Sequence, residues 1–121
     1  MLLAIDDISV QFGGLAALKG VSFGVSAGEI FSVIGPNGAG KTTLFNVVTG
    51  FQMATSGSVH FDGVVLKGKA PHDIARLGMV RTFQKTEVFT ELTVAQCVRI
   101  GFLNTYQPSL FEVFVPSSLS D

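Results

Sequence analysis

Apolar and polar positions alternate with a period of two near the start of the chain. Residues 8–12 (ISVQF) and 21–25 (VSFGV) follow this pattern, which predicts two half-buried β-strands. Residues 29–34 (EIFSVI) instead form a nearly continuous apolar run that contains β-branched members. Such a run predicts a strand buried on both faces, as in a parallel sheet.

Helical spacing of apolar residues begins after a glycine-rich stretch at 35–40. Leu44, Val47 and Val48 lie on one stripe of residues 41–49, which predicts an amphipathic helix. Gly50 follows at a position that suits the residue after a helix C-cap.

Glycine and proline separate the remaining predicted elements. These elements are a hairpin over 58–66, a short helix over 72–77, a strand over 79–84 and a helix over 93–103. Asp62-Gly63 predicts the hairpin turn, and Thr93 is the expected N-cap of the last helix. Residues 104–121 have no clean period and are predicted to be an irregular tail.

One motif carries recognisable chemistry. The stretch GPNGAGKTT at 35–43 matches G-x-x-x-x-G-K-[ST] and lies between the predicted buried strand and the predicted helix, as a phosphate-binding loop requires. Glycines let the backbone approach phosphate closely, and the amides with the helix N-terminus attract an anion. The expected nucleotide-binding residues are Gly35, Pro36, Asn37, Gly38, Ala39, Gly40, Lys41, Thr42 and Thr43.

Two residues of the motif have specific expected roles. Lys41 supplies a cation for the β- and γ-phosphates, and Thr42 offers a hydroxyl to Mg²⁺. A dinucleotide fingerprint does not fit, because Thr43 stands where G-x-G-x-x-G needs its last glycine. A guanine-reading N/T-K-x-D segment does not occur in the sequence. ATP is therefore the expected nucleotide.

Composition narrows the class of protein. Apolar residues make up 47% of the 121 residues and charged residues 14%, which excludes intrinsic disorder. A net charge of −1 and a pI near 6.0 give no general attraction to nucleic acid. One cysteine precludes an intrachain disulfide. The start MLLAIDD has no basic signal-peptide region, and no apolar window reaches membrane-spanning length. We therefore expect a protein that is cytoplasmic and soluble, or one that is peripheral to another structure.

The form GPNGAGKTTL, followed by a segment that ends in TG, resembles the ATP-binding subunit of ABC transporters. The resemblance implies an α/β P-loop NTPase fold with an antiparallel β subdomain and parallel core strands, and it implies ATP and Mg²⁺ as cofactors. Phe12 matches the aromatic residue that stacks on adenine in this family. Gln84, after Arg-Thr-Phe, matches the Q-loop glutamine, which touches Mg²⁺ and senses the membrane partner.

Three further segments narrow the resemblance. FGGLAAL at 12–18, LFNVVTGF at 44–51 and IARLGMVRTFQ at 74–84 are similar to branched-chain amino acid importer ATPases. Import of branched-chain or other apolar amino acids is thereby implied, with permease subunits contacting residues 84–98 and a second ATP-binding subunit forming a dimer. The implied location is peripheral to the inner face of the cell membrane. Residues 1–103 correspond to the N-terminal part of the domain.

The family's later motifs do not follow the Q-loop in this sequence. A Walker B strand, an LSGGQ-type signature and a switch histidine are absent before Asp121. We therefore expect a domain truncated before Walker B, with no catalytic group beyond the Lys41 charge and negligible hydrolysis by this chain alone. An unpaired strand at 29–34 would also promote aggregation. The alternatives are a small P-loop nucleotide-binding protein or kinase, and an inactive truncated fragment.

Overall fold

The computed structural model describes residues 1–83 and 89–102. The chain divides into two compact units, Met1–Arg81 and Thr82–Asp121. The predicted tail at 104–121 lies outside the described residues.

The first unit is built on a four-stranded antiparallel sheet. Its strands are β1 (Leu3–Phe12), β2 (Leu15–Val25), β3 (Ser56–Phe61) and β4 (Val64–Val65), in the order β2-β1-β3-β4. The predicted hairpin turn is confirmed, since Asp62 and Gly63 both have positive φ, 46° and 77°. Two consecutive positive φ angles match the twist of the flanking strands.

A β-bulge lets one strand place successive apolar residues in the core. The register of β1 shifts between Ile5 and Ile8 against β2, and Asp7 in between has a φ of 48°. Without the extra residue, Ile5 and Ile8 would face opposite sides of the sheet. With it, Ile5, Ile8 and Val10 are all buried.

Two helices belong to this unit, α1 (Lys41–Val48) and α2 (Pro71–Arg76). The predicted stripe of α1, Leu44, Val47 and Val48, is buried in the core with strand residues of the sheet. Gly50 has a φ of 78° and its amide donates to the Val47 carbonyl oxygen. The predicted helix and its glycine terminator are therefore confirmed, with Thr49 as the C-cap.

The predicted strand at 29–34 is not present. These residues pair with no strand of the described chain, and Ile30 and Ile34 are 97% and 93% exposed. A parallel strand needs neighbours on its edges to satisfy its backbone groups, and the described strands form an antiparallel sheet in which the run takes no part. Phe31 instead stacks on Phe23, with ring centroids 4.8 Å apart.

The predicted strand at 79–84 also differs from the structure. Residues 79–83 form no strand, and Gln84 lies outside the described residues. In the second unit, α3 (Val94–Gly101) begins after Thr93. Thr93 and Gln96 form a reciprocal capping box, which confirms the predicted N-cap.

Candidate functional site

The loop between the apolar run and α1 depends on two glycines with left-handed backbone. Gly38 has a φ of 85° and Gly40 has a φ of 88°. Residues with a Cβ rarely adopt such angles, whereas glycine adopts them readily. The chain therefore turns sharply just before the helix.

Gly40 is also required by close packing. A Cβ at Gly40 would lie 2.5 Å from the Ala17 carbonyl oxygen and 2.8 Å from Leu18 Cδ2, whereas a Cβ at Gly38 would meet nothing within 4 Å. The base of the loop thus rests directly on β2. Ala17 and Leu18 support the loop through this contact.

The N-terminus of α1 presents donors that no side chain caps. Gly40 is the N-cap, it makes no side-chain capping bond, and the first turn contains no acidic residue. The first backbone bond of the helix runs from the Leu44 amide to the Gly40 carbonyl oxygen. The amides of Lys41, Thr42 and Thr43 lie before that bond and have no partner within the helix. Together with the helix dipole, they favour an anion at this end.

Lys41 lies across the loop that it follows. Its Nζ donates to the Gly35 carbonyl oxygen over 2.6 Å and to the Pro36 carbonyl oxygen over 2.7 Å. The ammonium group is therefore hydrogen-bonded to the first two residues of the loop, while the Lys41 side chain remains only partly buried. Thr42 is exposed, which leaves its hydroxyl accessible.

These features fit a nucleotide phosphate chain. A polyanion finds unpaired amides, a helix N-terminus and one ammonium group within nine consecutive residues, 35–43. A magnesium ion could take the Thr42 hydroxyl together with oxygens from the phosphates. Among residues 1–83 and 89–102, no group of three or more His, Cys, Asp or Glu side chains could hold a metal ion.

Two further residues, Phe12 and Gln84, are expected to contact the nucleotide or Mg²⁺, and the structure describes only the first of them. Phe12 ends β1 and pairs with Leu15 at the hairpin, and its side chain is 49% exposed. It therefore belongs to the same strand pair that supports Gly40, but its adenine contact stays a prediction. Gln84 is outside the described residues, and its role also stays a prediction.

The structure adds contacts at the opposite end of α1 that sequence reasoning missed. Arg81 Nη1 donates to Asn46 Oδ1 over 2.7 Å, and it lies 3.4 Å from Thr49 Oγ1. Asn46 and Thr49 are three residues apart on one helix face, and this spacing is the sequence feature that could have indicated a shared polar partner. Their partner lies 32–35 residues later, and no local pattern indicates it.

In the part of the chain that the structure describes, no helix has the length and hydropathy needed to span a membrane.

Comparison with known proteins places this chain in a family. The family model described as ABC transporter matches residues 18–113. The chain is 45% identical over 95 residues to the high-affinity branched-chain amino acid transport ATP-binding protein BraF of Pseudomonas aeruginosa, covering 78% of this chain and 37% of the relative. It is 47% identical over 100 residues to the probable branched-chain amino acid transport ATP-binding protein LivG of Archaeoglobus fulgidus, covering 83% and 39%.

Solved structures agree on the fold. An ATP-binding cassette of an ABC transporter in its ADP conformation superposes with a TM-score of 0.76 at 37% identity, covering 99% of this chain and 47% of that one. A nucleotide-free cassette gives a TM-score of 0.74 at 40% identity, covering 93% and 45%. The chain therefore spans less than half the length of these relatives.

The fold and the loop agree with the family match. The predicted α/β P-loop class, with its antiparallel sheet and the loop that precedes α1, is confirmed by these neighbours. The chain belongs to the ABC transporter ATP-binding family and is related to its branched-chain amino acid transport members.

Proposed function

We propose that this chain binds ATP through residues 35–43 as the nucleotide-binding part of a transport ATPase. The observation that carries the proposal is the uncapped N-terminus of α1 beside the Lys41 ammonium group. The loop amides bind the phosphates, and Lys41 offsets the charge of the β- and γ-phosphates. Phe12 is the proposed stacking partner for adenine.

Mg²⁺ is the proposed second ligand of the site. Thr42 provides one hydroxyl oxygen and Gln84 provides an amide oxygen, while the remaining ligands come from phosphate and water. When bound, the ion offsets phosphate charge. The resemblance to ABC transporter ATP-binding subunits implies that two further groups lie after the Q-loop, an acid that anchors Mg²⁺ and a base for the attacking water. Since residues 35–43 supply neither, we propose that their contribution is binding and charge stabilisation.

We further propose that the transported substrates are branched-chain or other apolar amino acids moving inward. Support comes from the relatives, whose names describe branched-chain amino acid transport. The proposed partners are a second ATP-binding subunit and membrane permease subunits that contact residues 84–98, which implies a location at the inner face of the membrane. Helix α3 offers exposed apolar side chains for the permease contact, because Val94 and Val98 are 82% and 57% exposed.

Titration with ATP and Mg²⁺ tests the binding proposal. In Lys41→Ala, we expect at least tenfold weaker ATP binding, because the ammonium group opposite the phosphates is lost. Lys67→Ala removes an exposed lysine from the loop after β4 and serves as the matched control. Equal affinity in the two variants would contradict the proposal. In Thr42→Val, ATP should still bind, but the added affinity that Mg²⁺ provides should fall.

A further inference from the structure

Arg81 contacts the last turn of α1 in three ways. Its Nη1 donates to Asn46 Oδ1 over 2.7 Å and lies 3.4 Å from Thr49 Oγ1. Its guanidinium carbon lies 6.0 Å from the centre of the Phe45 ring, at the outer distance for a cation–π contact. Three different residues of one helical turn thus meet a single guanidinium group.

The groups that Arg81 meets are themselves fixed. Thr49 is the one buried polar residue of the described chain, and its hydroxyl donates to the Phe45 carbonyl oxygen over 2.6 Å. The Asn46 carbonyl oxygen accepts from the amides of Phe51 and Gln52. Because these contacts immobilise the end of α1, Arg81 binds to a rigid surface.

The charge of Arg81 suits this end of the helix. Helix α1 has no basic residue in its own last turn, and a cation stabilises the partial negative charge at a helix C-terminus. Arg81 supplies that cation from 32 residues beyond Thr49. The planar guanidinium group can also keep two donors directed at fixed acceptors, which a lysine ammonium group cannot do as rigidly.

We infer that Arg81 is a positioning residue that fixes the end of the first unit against the helix that follows the phosphate-binding loop. This inference rests on the proposed function, since it requires nucleotide at residues 35–43. An eight-residue helix is about 12 Å long, so a change at the Lys41 end reaches Asn46 and Thr49 through one rigid element. Through its bonds to Asn46 and Thr49, Arg81 carries that change to the end of the first unit.

A tryptophan reporter can test this connection. The chain contains no tryptophan, so Phe83→Trp provides a single emission signal two residues after Arg81. We expect saturating ATP with Mg²⁺ to change the emission of this variant. Adding Arg81→Ala or Asn46→Ala should reduce the change at least threefold, because each substitution removes the same hydrogen bond. Arg81→Lys should give an intermediate change.

Matched measurements separate positioning from general damage. Arg76→Ala removes an exposed arginine that contacts only Asp73 among the bonds described for it, and the emission change should persist there. The Kd for ATP should stay within threefold in all these variants, whereas a purely structural role would weaken binding and emission together. If Arg81→Ala fails to fold, Asn46→Ala and Arg81→Lys decide the question.

The outcomes also distinguish this inference from the proposed function. Normal ATP binding with an undiminished emission change in Arg81→Ala and Asn46→Ala would overturn the inference alone. Normal binding with no emission change in Phe83→Trp itself would do the same. Failure of the Phe83→Trp chain to bind ATP, with no difference from its Lys41→Ala form, would overturn the proposed function and with it the inference.

Discussion

Two glycines of the phosphate-binding loop provide a matched pair of substitutions. Gly38 and Gly40 have nearly the same φ, 85° and 88°, but only Gly40 packs closely. A Cβ at Gly40 would lie 2.5 Å from a backbone oxygen of β2, whereas one at Gly38 would occupy open space. Gly38→Ala therefore measures backbone strain, and Gly40→Ala measures the same strain plus the contact with β2.

The expected free energies follow from these two effects. A non-glycine residue in this region of φ costs about 1–3 kcal/mol, and the cost applies to both variants. Gly40→Ala must also displace the Ala17 carbonyl group, and overpacking typically adds about 1–3 kcal/mol. Since a backbone oxygen cannot move aside like a flexible side chain, we expect the larger part of that range.

The free-energy cost of each glycine substitution can lower the stability of the fold or the affinity for ATP, so both quantities are measured. Urea unfolding gives the change in the free energy of unfolding, and ATP titration gives the change in affinity, with about 1.4 kcal/mol per factor of ten. The exposed loop at Gly38 can relax without ATP, so its cost should appear mainly as weaker binding. For Gly40→Ala, the free energy of unfolding should also fall. Equal combined losses in the two variants would refute the packing of the loop on β2.

Three further predictions concern other parts of the chain. Gly50→Ala should lower the free energy of unfolding by about 1–3 kcal/mol in urea, because φ is 78° and a Cβ would lie 2.7 Å from Ile74 Cδ1; an unchanged midpoint would contradict this. Ile34→Lys should raise the concentration at which the chain self-associates in sedimentation more than Met53→Lys does, since Ile34 is 93% exposed within an apolar run, against 71% for Met53. Thr93→Ala should cost α3 about 1 kcal/mol, seen as roughly fivefold faster amide exchange in its first turn, and unchanged exchange would count against the capping box.

Local sequence signals predicted the elements that local interactions stabilise. Asp62-Gly63 specified its hairpin because the turn needs two residues that tolerate positive φ. The spacing of Leu44, Val47 and Val48 specified the buried face of α1. The sharp turn of the loop at 35–43 was equally predictable, because Gly38 and Gly40 supply the positive φ angles that it needs. The phosphate contacts of the loop stay a prediction.

Features that depend on pairing between distant segments of the chain were not predicted correctly from the sequence. Residues 29–34 have the composition of a buried strand, but a strand exists only where other backbone groups complete its hydrogen bonds. Within the described residues, no strand pairs with this run, and Ile30 and Ile34 are exposed. The composition of a segment indicates how much apolar surface it can bury, whereas strand pairing depends on other segments of the chain. The Asp7 bulge was missed for a similar reason, since it is a property of two strands together.

At the candidate site, the short helix α1 depends both on local sequence signals and on contacts with residues distant in sequence. An isolated helix shorter than about 12–15 residues is marginal in water, and α1 has eight. Its buried stripe holds one face, while residues distant in sequence hold its ends: Ala17 and Leu18 support Gly40, and Arg81 binds Asn46. The motif therefore specifies which atoms are proposed to meet phosphate, β2 supports the loop beneath Gly40, and Arg81 holds the far end of the helix. It follows that substituting Arg81, outside the motif, should change how the far end of α1 responds to nucleotide, as the Phe83→Trp emission measures, while the Kd for ATP stays within threefold.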